Sequence, residues 1–129
     1  RPLARKLDQP MAALIKDLKL RGMLEDTLIV GCSEFGRTPW EDRNPRGRGH
    51  HAAVFTTFLV GGGAKPGLSY GESDDIGAKI AANGMNVHDF HATILHLLGL
   101  DHERLTYRYS SRDFRLTDLE GRVPREIVA

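Results

Sequence analysis

The chain reads as α/β, and three observations predict it. A helix-period stretch beginning at Asp8 delivers into a short, β-branched, almost unbroken apolar run, Thr27 to Ser33, which suits a strand buried on both faces, as in a parallel sheet. A second apolar stretch, Ala52 to Val60, reads as another strand. A second helical pattern spans His88 to Leu98. At 129 residues and 14.3 kDa the chain fits one domain, 1–129.

In chain order, Asp8 is the expected N-cap of the first helix, with Pro10 in its first turn and Met11, Leu14, Ile15 and Leu18 on one face. Gly22 is its expected C-cap, and Lys16, Lys19 and Arg21 lie where cations oppose the helix dipole. Glu34 to Gly49 has no regular period and carries Gly36, Pro39, Pro45, Gly47 and Gly49 as breakers, so it reads as a long loop. Structureless loops of that length are usually functional or disordered. Gly61-Gly62-Gly63 ends the second strand with a backbone free to bend sharply. Asp75 to Ala82 suits a short helix. In the second helix Phe90, Ile94, Leu97 and Leu98 form the expected buried face, with Gly99 at its end. The tail alternates weakly, as in Tyr107-Arg108-Tyr109 and Phe114-Arg115-Leu116, with Glu120-Gly121 as the expected hairpin turn.

Composition excludes several function classes. Eighteen basic against 17 acidic residues leave a net charge of +1, which is not the footprint of a nucleic-acid binder. The mean hydropathy of −0.35 is that of a soluble globular domain, and no stretch approaches the roughly 20 apolar residues of a membrane span. Residue 1 is Arg, with no charged-then-apolar leader after it. A single cysteine, Cys32, offers no intrachain disulfide, and its place in the first strand predicts a buried, inert thiol. Gly61-Gly62-Gly63 lacks the following Lys-Ser/Thr of a P-loop, and Ser33 lacks the Gly-x-Ser-x-Gly elbow of a hydrolase nucleophile.

The candidate chemistry frames the loop after the first strand. In open α/β sheets ligands bind beyond the carboxyl ends of strands, and Ser33-Glu34-Phe35-Gly36-Arg37-Thr38-Pro39 lies there. Glu34 is either a metal-binding carboxylate or a surface partner of Arg37. Arg37 is either half of that pair or an anion clamp, because a guanidinium fork matches sulfate, phosphate or carboxylate. Arg46-Gly47-Arg48-Gly49-His50-His51 closes the loop, and the two halves are placed to meet. Imidazole is the commonest protein ligand for zinc-like metals, so His50 and His51 with Glu34 would begin a coordination shell. The alternative is a histidine pair with ordinary hydrogen bonds. His88, His91 and His96 lack i, i+4 ligand spacing, which favours structural roles around a helix start at Val87-His88-Asp89.

Leu7-Asp8-Gln9-Pro10, Thr27-Leu28-Ile29-Val30, Ser33-Glu34-Phe35-Gly36-Arg37-Thr38-Pro39, Gly47-Arg48-Gly49-His50-His51 and His88-Asp89-Phe90-His91-Ala92-Thr93-Ile94 through Asp101 resemble, in order and spacing, one family. It is the sulfatase-like family catalogued as domain of unknown function fifteen-oh-one, a branch of the alkaline phosphatase superfamily. The resemblance covers essentially the whole chain and corresponds to the carboxyl-terminal part of the family's longer chains. It implies a partial alkaline phosphatase or sulfatase-like sheet flanked by helices. Ser33-Glu34-Phe35-Gly36 resembles the superfamily's Ser-Asp-His-Gly, so Glu34 stands for a metal-binding Asp, while Phe35 replaces a His and cannot ligate. By the same resemblance His50 matches a ligand position, Gly49 stands where an Asp is expected, and His51 would be an alternative or auxiliary ligand.

By that resemblance the complete protein would hydrolyse sulfate or phosphate esters with a divalent metal, Zn, Mn, Ca or Mg. Arg37 and Arg48 would bind the anion, and the nucleophile would lie upstream. The alternative is a degenerate, non-catalytic binding or scaffolding module of the same fold. The expected partner is a small anionic ester, not nucleic acid or membrane, and the resemblance implies a periplasmic or extracellular location. A partial sheet exposes an apolar edge, so self-association of the chain is expected.

Overall fold

The structure is a computed structural model that describes residues 2–41 and 47–129. It is mixed α/β, with two helices and small antiparallel sheets. Helix α1 runs Pro2–Leu20, six residues further upstream than expected, and Asp8 and Pro10 lie inside it. Ala4, Arg5, Lys6 and Leu7 are all strong helix formers, and a proline removes only one intrahelical hydrogen bond, so the helix continues through it. At the other end Met23 N donates to Leu18 O at 2.9 Å and Gly22 N to Lys19 O at 3.2 Å, with Gly22 at φ 66°. That is a Schellman cap, and it places Gly22 in its expected role.

The strand expected at Thr27 to Ser33 shortens to β1, Ile29–Gly31. Two further strands frame the loop that follows: β2, Gly36–Arg37, and β3, His50–His51, pair antiparallel, so part of the expected loop is a hairpin whose two halves do meet. Strand β4 is Phe58–Val60 rather than the whole of Ala52 to Val60. It pairs antiparallel with β1, with Gly31 opposite Phe58. The parallel, doubly buried strand of the sequence reading is therefore corrected: Val30 is exposed and the sheet has two strands. The Phe58 ring fills the space where a side chain at Gly31 would stand, so the pair packs an aromatic over a glycine. Beyond β4, Gly61, Gly62 and Gly63 all adopt positive φ. Gly62 N donates to Leu24 O at 3.1 Å, which brings this turn against the connection leaving α1.

The helix expected over Asp75 to Ala82 is instead a hairpin of β5, Glu72–Ser73, and β6, Ile80–Ala82. Asp74 closes it: its Oδ1 accepts from Ala78 N at 2.6 Å, its own amide donates to Lys79 O, and Gly77 sits at φ 71°. An aspartate that caps a turn this way competes with helix formation.

Helix α2, Val87–Leu97, starts from an Asn86 capping box and ends with a second Schellman cap, Leu100 N to Leu95 O and Gly99 N to His96 O, both 2.9 Å. Its most buried residues are Ala92, Thr93 and Leu95; Phe90, Ile94 and Leu97 are half-buried and Leu98 is exposed, so the expected face is rotated. Strands β7, Thr106–Tyr109, and β8, Arg112–Arg115, join through Ser110-Ser111, both at positive φ, as a type I′ hairpin requires. The turn thus falls ten residues before the expected Glu120-Gly121. A 3-10 turn at Arg125–Ile127 ends the fold, and Ala129 N donates to Gly63 O at 2.9 Å.

The centre is small. Thr93 and Thr117 are fully buried, with Ala92, Leu95 and Leu18 beside them in burial. Gly121 presses against His102, Ala92 and Thr117, where a Cβ would crowd all three at 3.0 to 3.1 Å. No helix among the described residues is long and apolar enough to cross a membrane.

Candidate functional site

The hairpin β2–β3 positions most of the predicted side chains. Ser33 leaves β1 and folds back on itself, its hydroxyl donating to Phe35 O at 2.9 Å and lying 3.4 Å from Glu34 Oε2. Gly36 follows because Val54 O and Phe55 Cβ crowd the place a side chain would take. Register then sets Arg37 opposite His50 and Gly36 opposite His51. Thr38 extends the pairing, its amide donating to Gly49 O at 3.1 Å and its Oγ1 accepting from Gly49 N at 3.0 Å.

The two arginines are held reciprocally. Arg37 Nη1 donates to Arg48 O at 3.2 Å, while Arg48 Nη1 donates to Thr38 O at 3.0 Å and to Pro39 O. Each guanidinium is thus aimed by backbone of the opposite arm of the hairpin. The Arg37 guanidinium also lies 5.6 Å from the centre of the Phe35 ring, within cation–π range. Among the described residues Glu34 and Arg37 form no ion pair, since the ion pairs found are Arg21 with Asp17, Arg108 with Asp113 and Arg112 with Asp118. Arg46 lies outside the described residues, as does Pro45.

The histidines have structural partners. His50 stacks on Phe35 with ring centres 3.8 Å apart. His51 Nε2 lies 2.9 Å from Ala78 O. A carbonyl only accepts, so Nε2 carries the proton, and in the neutral ring the lone pair lies on Nδ1. That bond joins the β2–β3 hairpin to the Asp74–Lys79 turn. Among the described residues no three His, Cys, Asp or Glu side chains gather as a metal site would require. Cys32 is exposed, contrary to the buried thiol expected, because β1 ends one residue earlier.

Trp40, which no sequence motif singles out, stands beside these residues. Its indole meets the His51 ring at 6.0 Å and 66°, and it is largely exposed. The available signal was a lone tryptophan beside Pro39 at the mouth of a basic loop.

The family described as "Protein of unknown function (DUF1501)" matches residues 1–128. The chain belongs to DUF1501. No curated protein and no solved structure matches it. The match takes in the β2–β3 hairpin, α2 and the tail as one DUF1501 unit. Within that match Asp89 serves the start of α2, as the sequence favours: Oδ2 accepts from Asn86 N at 3.2 Å, and Oδ1 from Arg122 N at 2.6 Å. His88 Nδ1 is buried and has no hydrogen-bond partner among the described residues.

Proposed function

We propose that this DUF1501 chain supplies the oxyanion-holding hairpin of a sulfatase-like protein of the alkaline phosphatase superfamily. The complete protein would hydrolyse sulfate or phosphate esters with a divalent metal, and this chain would form the carboxyl-terminal part of that larger α/β domain. The supporting observation is the reciprocal bonding of Arg37 and Arg48 to the backbone of one hairpin. A guanidinium carries five N–H donors and stays charged, so one or two bonds to carbonyls orient it and leave donors for an oxyanion.

The metal part of this reading needs ligands from outside the described residues. Glu34, His50 and the Nδ1 of His51 are the donors this chain offers, and they do not by themselves make a metal site. What this chain's residues would do in the reaction is bind and orient the ester oxyanion. The second reading, a non-catalytic binding module, is supported by the Phe35–His50 stack and the His51–Ala78 bond, which give both imidazoles a packing role.

Calorimetric titration with inorganic sulfate and phosphate tests the shared claim. Arg48→Ala should lower affinity about tenfold or more, since a charge-assisted hydrogen bond contributes about 1.5–3 kcal/mol. Unchanged binding in both Arg37→Ala and Arg48→Ala rejects the anion site. Titration with Zn²⁺, Mn²⁺, Ca²⁺ and Mg²⁺ against Glu34→Ala and His50→Ala tests the ligands, and equal metal binding in all three proteins removes them. Hydrolysis of a panel of aryl sulfates and phosphates with added metal then separates the enzyme from the binding module.

A further inference from the structure

Trp40 is the chain's only tryptophan, and 53% of its surface is exposed. Indole carries one of the largest apolar areas of any side chain, and an exposed one beside cations suits a ligand with an apolar face. Its backbone is held by two hydrogen bonds and its ring by one aromatic contact. The Thr38 hydroxyl donates to Trp40 O at 2.8 Å. Arg48 donates to the carbonyl of Pro39, the peptide unit that joins Pro39 to Trp40. The His51 ring meets the indole, and His51 is itself tied to Ala78 O. The Arg48 guanidinium is therefore bonded to the carbonyl that directly precedes Trp40, and the inclined contact with His51 leaves at least one indole face free of that ring.

We infer that the hairpin selects anions bearing an aryl or other flat apolar group, with Arg48 holding the oxyanion and Trp40 stacking on the ring. The inference rests on the anion-binding reading above and adds the class of organic group. A small ester fits better than a nucleic-acid strand because Glu41 follows Trp40 directly and the chain's net charge is only +1, which would oppose a polyanion. The groups that set the preference are distinct from those that set the charge. Arg37 and Arg48 act on any oxyanion, whereas Trp40 acts only on its substituent.

The test compares calorimetric affinities of the whole chain for inorganic phosphate, methyl phosphate and phenyl phosphate, with tryptophan fluorescence reporting from the same site. Phenyl phosphate should bind about two- to tenfold more tightly than methyl phosphate, the range of an aromatic pair. Trp40→Leu should bring that ratio to about one, and Trp40→Phe should restore most of it, while inorganic phosphate binds all three proteins equally and so reports that the variants are folded. Equal affinity for phenyl and methyl phosphate in the unaltered protein, with inorganic phosphate still bound, overturns the aromatic preference and leaves the anion site standing. Absence of binding by all three probes overturns both.

Discussion

The Asp89 carboxylate accepts the backbone amide of Arg122 at 2.6 Å across 33 residues, while its other oxygen closes the α2 capping box on Asn86. One side chain thus starts a helix and fastens the tail to it. Asn86 Nδ2 reinforces the same junction by donating to Glu120 Oε2 at 2.7 Å. Asp89→Ala should cost about 2 kcal/mol, combining a lost cap with a charge-assisted bond. Asp89→Asn, with one acceptor oxygen, should lie between the two. Urea unfolding followed by circular dichroism measures this, and an Ala variant as stable as the parent would remove Asp89 from this role.

Gly61 and Gly22 separate backbone strain from crowding. Both have positive φ, 75° and 66°. A Cβ at Gly22 meets nothing within 4 Å, whereas at Gly61 it would collide with the carbonyl oxygens of Leu24 and Thr27. Gly22→Ala should therefore cost about 1 kcal/mol from conformation alone. Gly61→Ala should cost clearly more, about 2 kcal/mol or above, because the α1–β1 connection must move. Equal losses in thermal unfolding would mean that the two segments do not pack as described.

Asp74 makes the β5–β6 hairpin acid-sensitive. The Ala78 amide bonded to its carboxylate is the main cause that holds it below the usual aspartate range; burial opposes the shift, and the amides of Lys79 and Gly77 and the Lys79 charge add to it. A carboxyl lowered in the folded state stabilises the fold above its unfolded pKa and loses that contribution as pH falls through the folded value. NMR titration should show Asp74 ionising below the ordinary aspartate value, with the Ala78 amide shifting in step. In Asp74→Asn that acid-side change should vanish. Titration of Asp74 at or above the ordinary value would refute the bond's effect.

Self-association is predicted from surface area. The chain exposes 10205 Å², against about 6,800 Å² for a compact monomer of its mass. The excess is larger than the about 1,600 Å² removed by a standard interface. Leu7 and Leu14 on α1 and Val30 and Phe58 on the β1–β4 pair are among the exposed apolar residues. Light scattering at high concentration should report a mass of at least a dimer, decreasing in Leu7→Lys with Leu14→Lys. A monomer throughout the concentration range would contradict it.

Sequence alone determined what depends on near neighbours. Gly22 and Gly99 each end a helix because only a residue tolerant of positive φ completes the cap, and that demand is local. The meeting of the two halves of the loop after β1 was legible because Arg37 and His50 stand near its two ends, and their pairing needs only a hairpin. Tertiary structure decided the rest. Strand direction was not legible at Thr27 to Ser33, since an apolar run serves either direction and the partner, Phe58–Val60, lies far along the chain. Asp74 turned an expected helix into a hairpin through contacts with Ala78 and Lys79 that helical periodicity does not register. The buried face of α2 includes Ala92 because Gly121, 29 residues further along, packs against it. The same reason separates the hairpin's arginines from its tryptophan: charge at a loop is visible in a list of residues, but a guanidinium bonded to the carbonyl that precedes an exposed tryptophan is visible only once the chain has closed on itself.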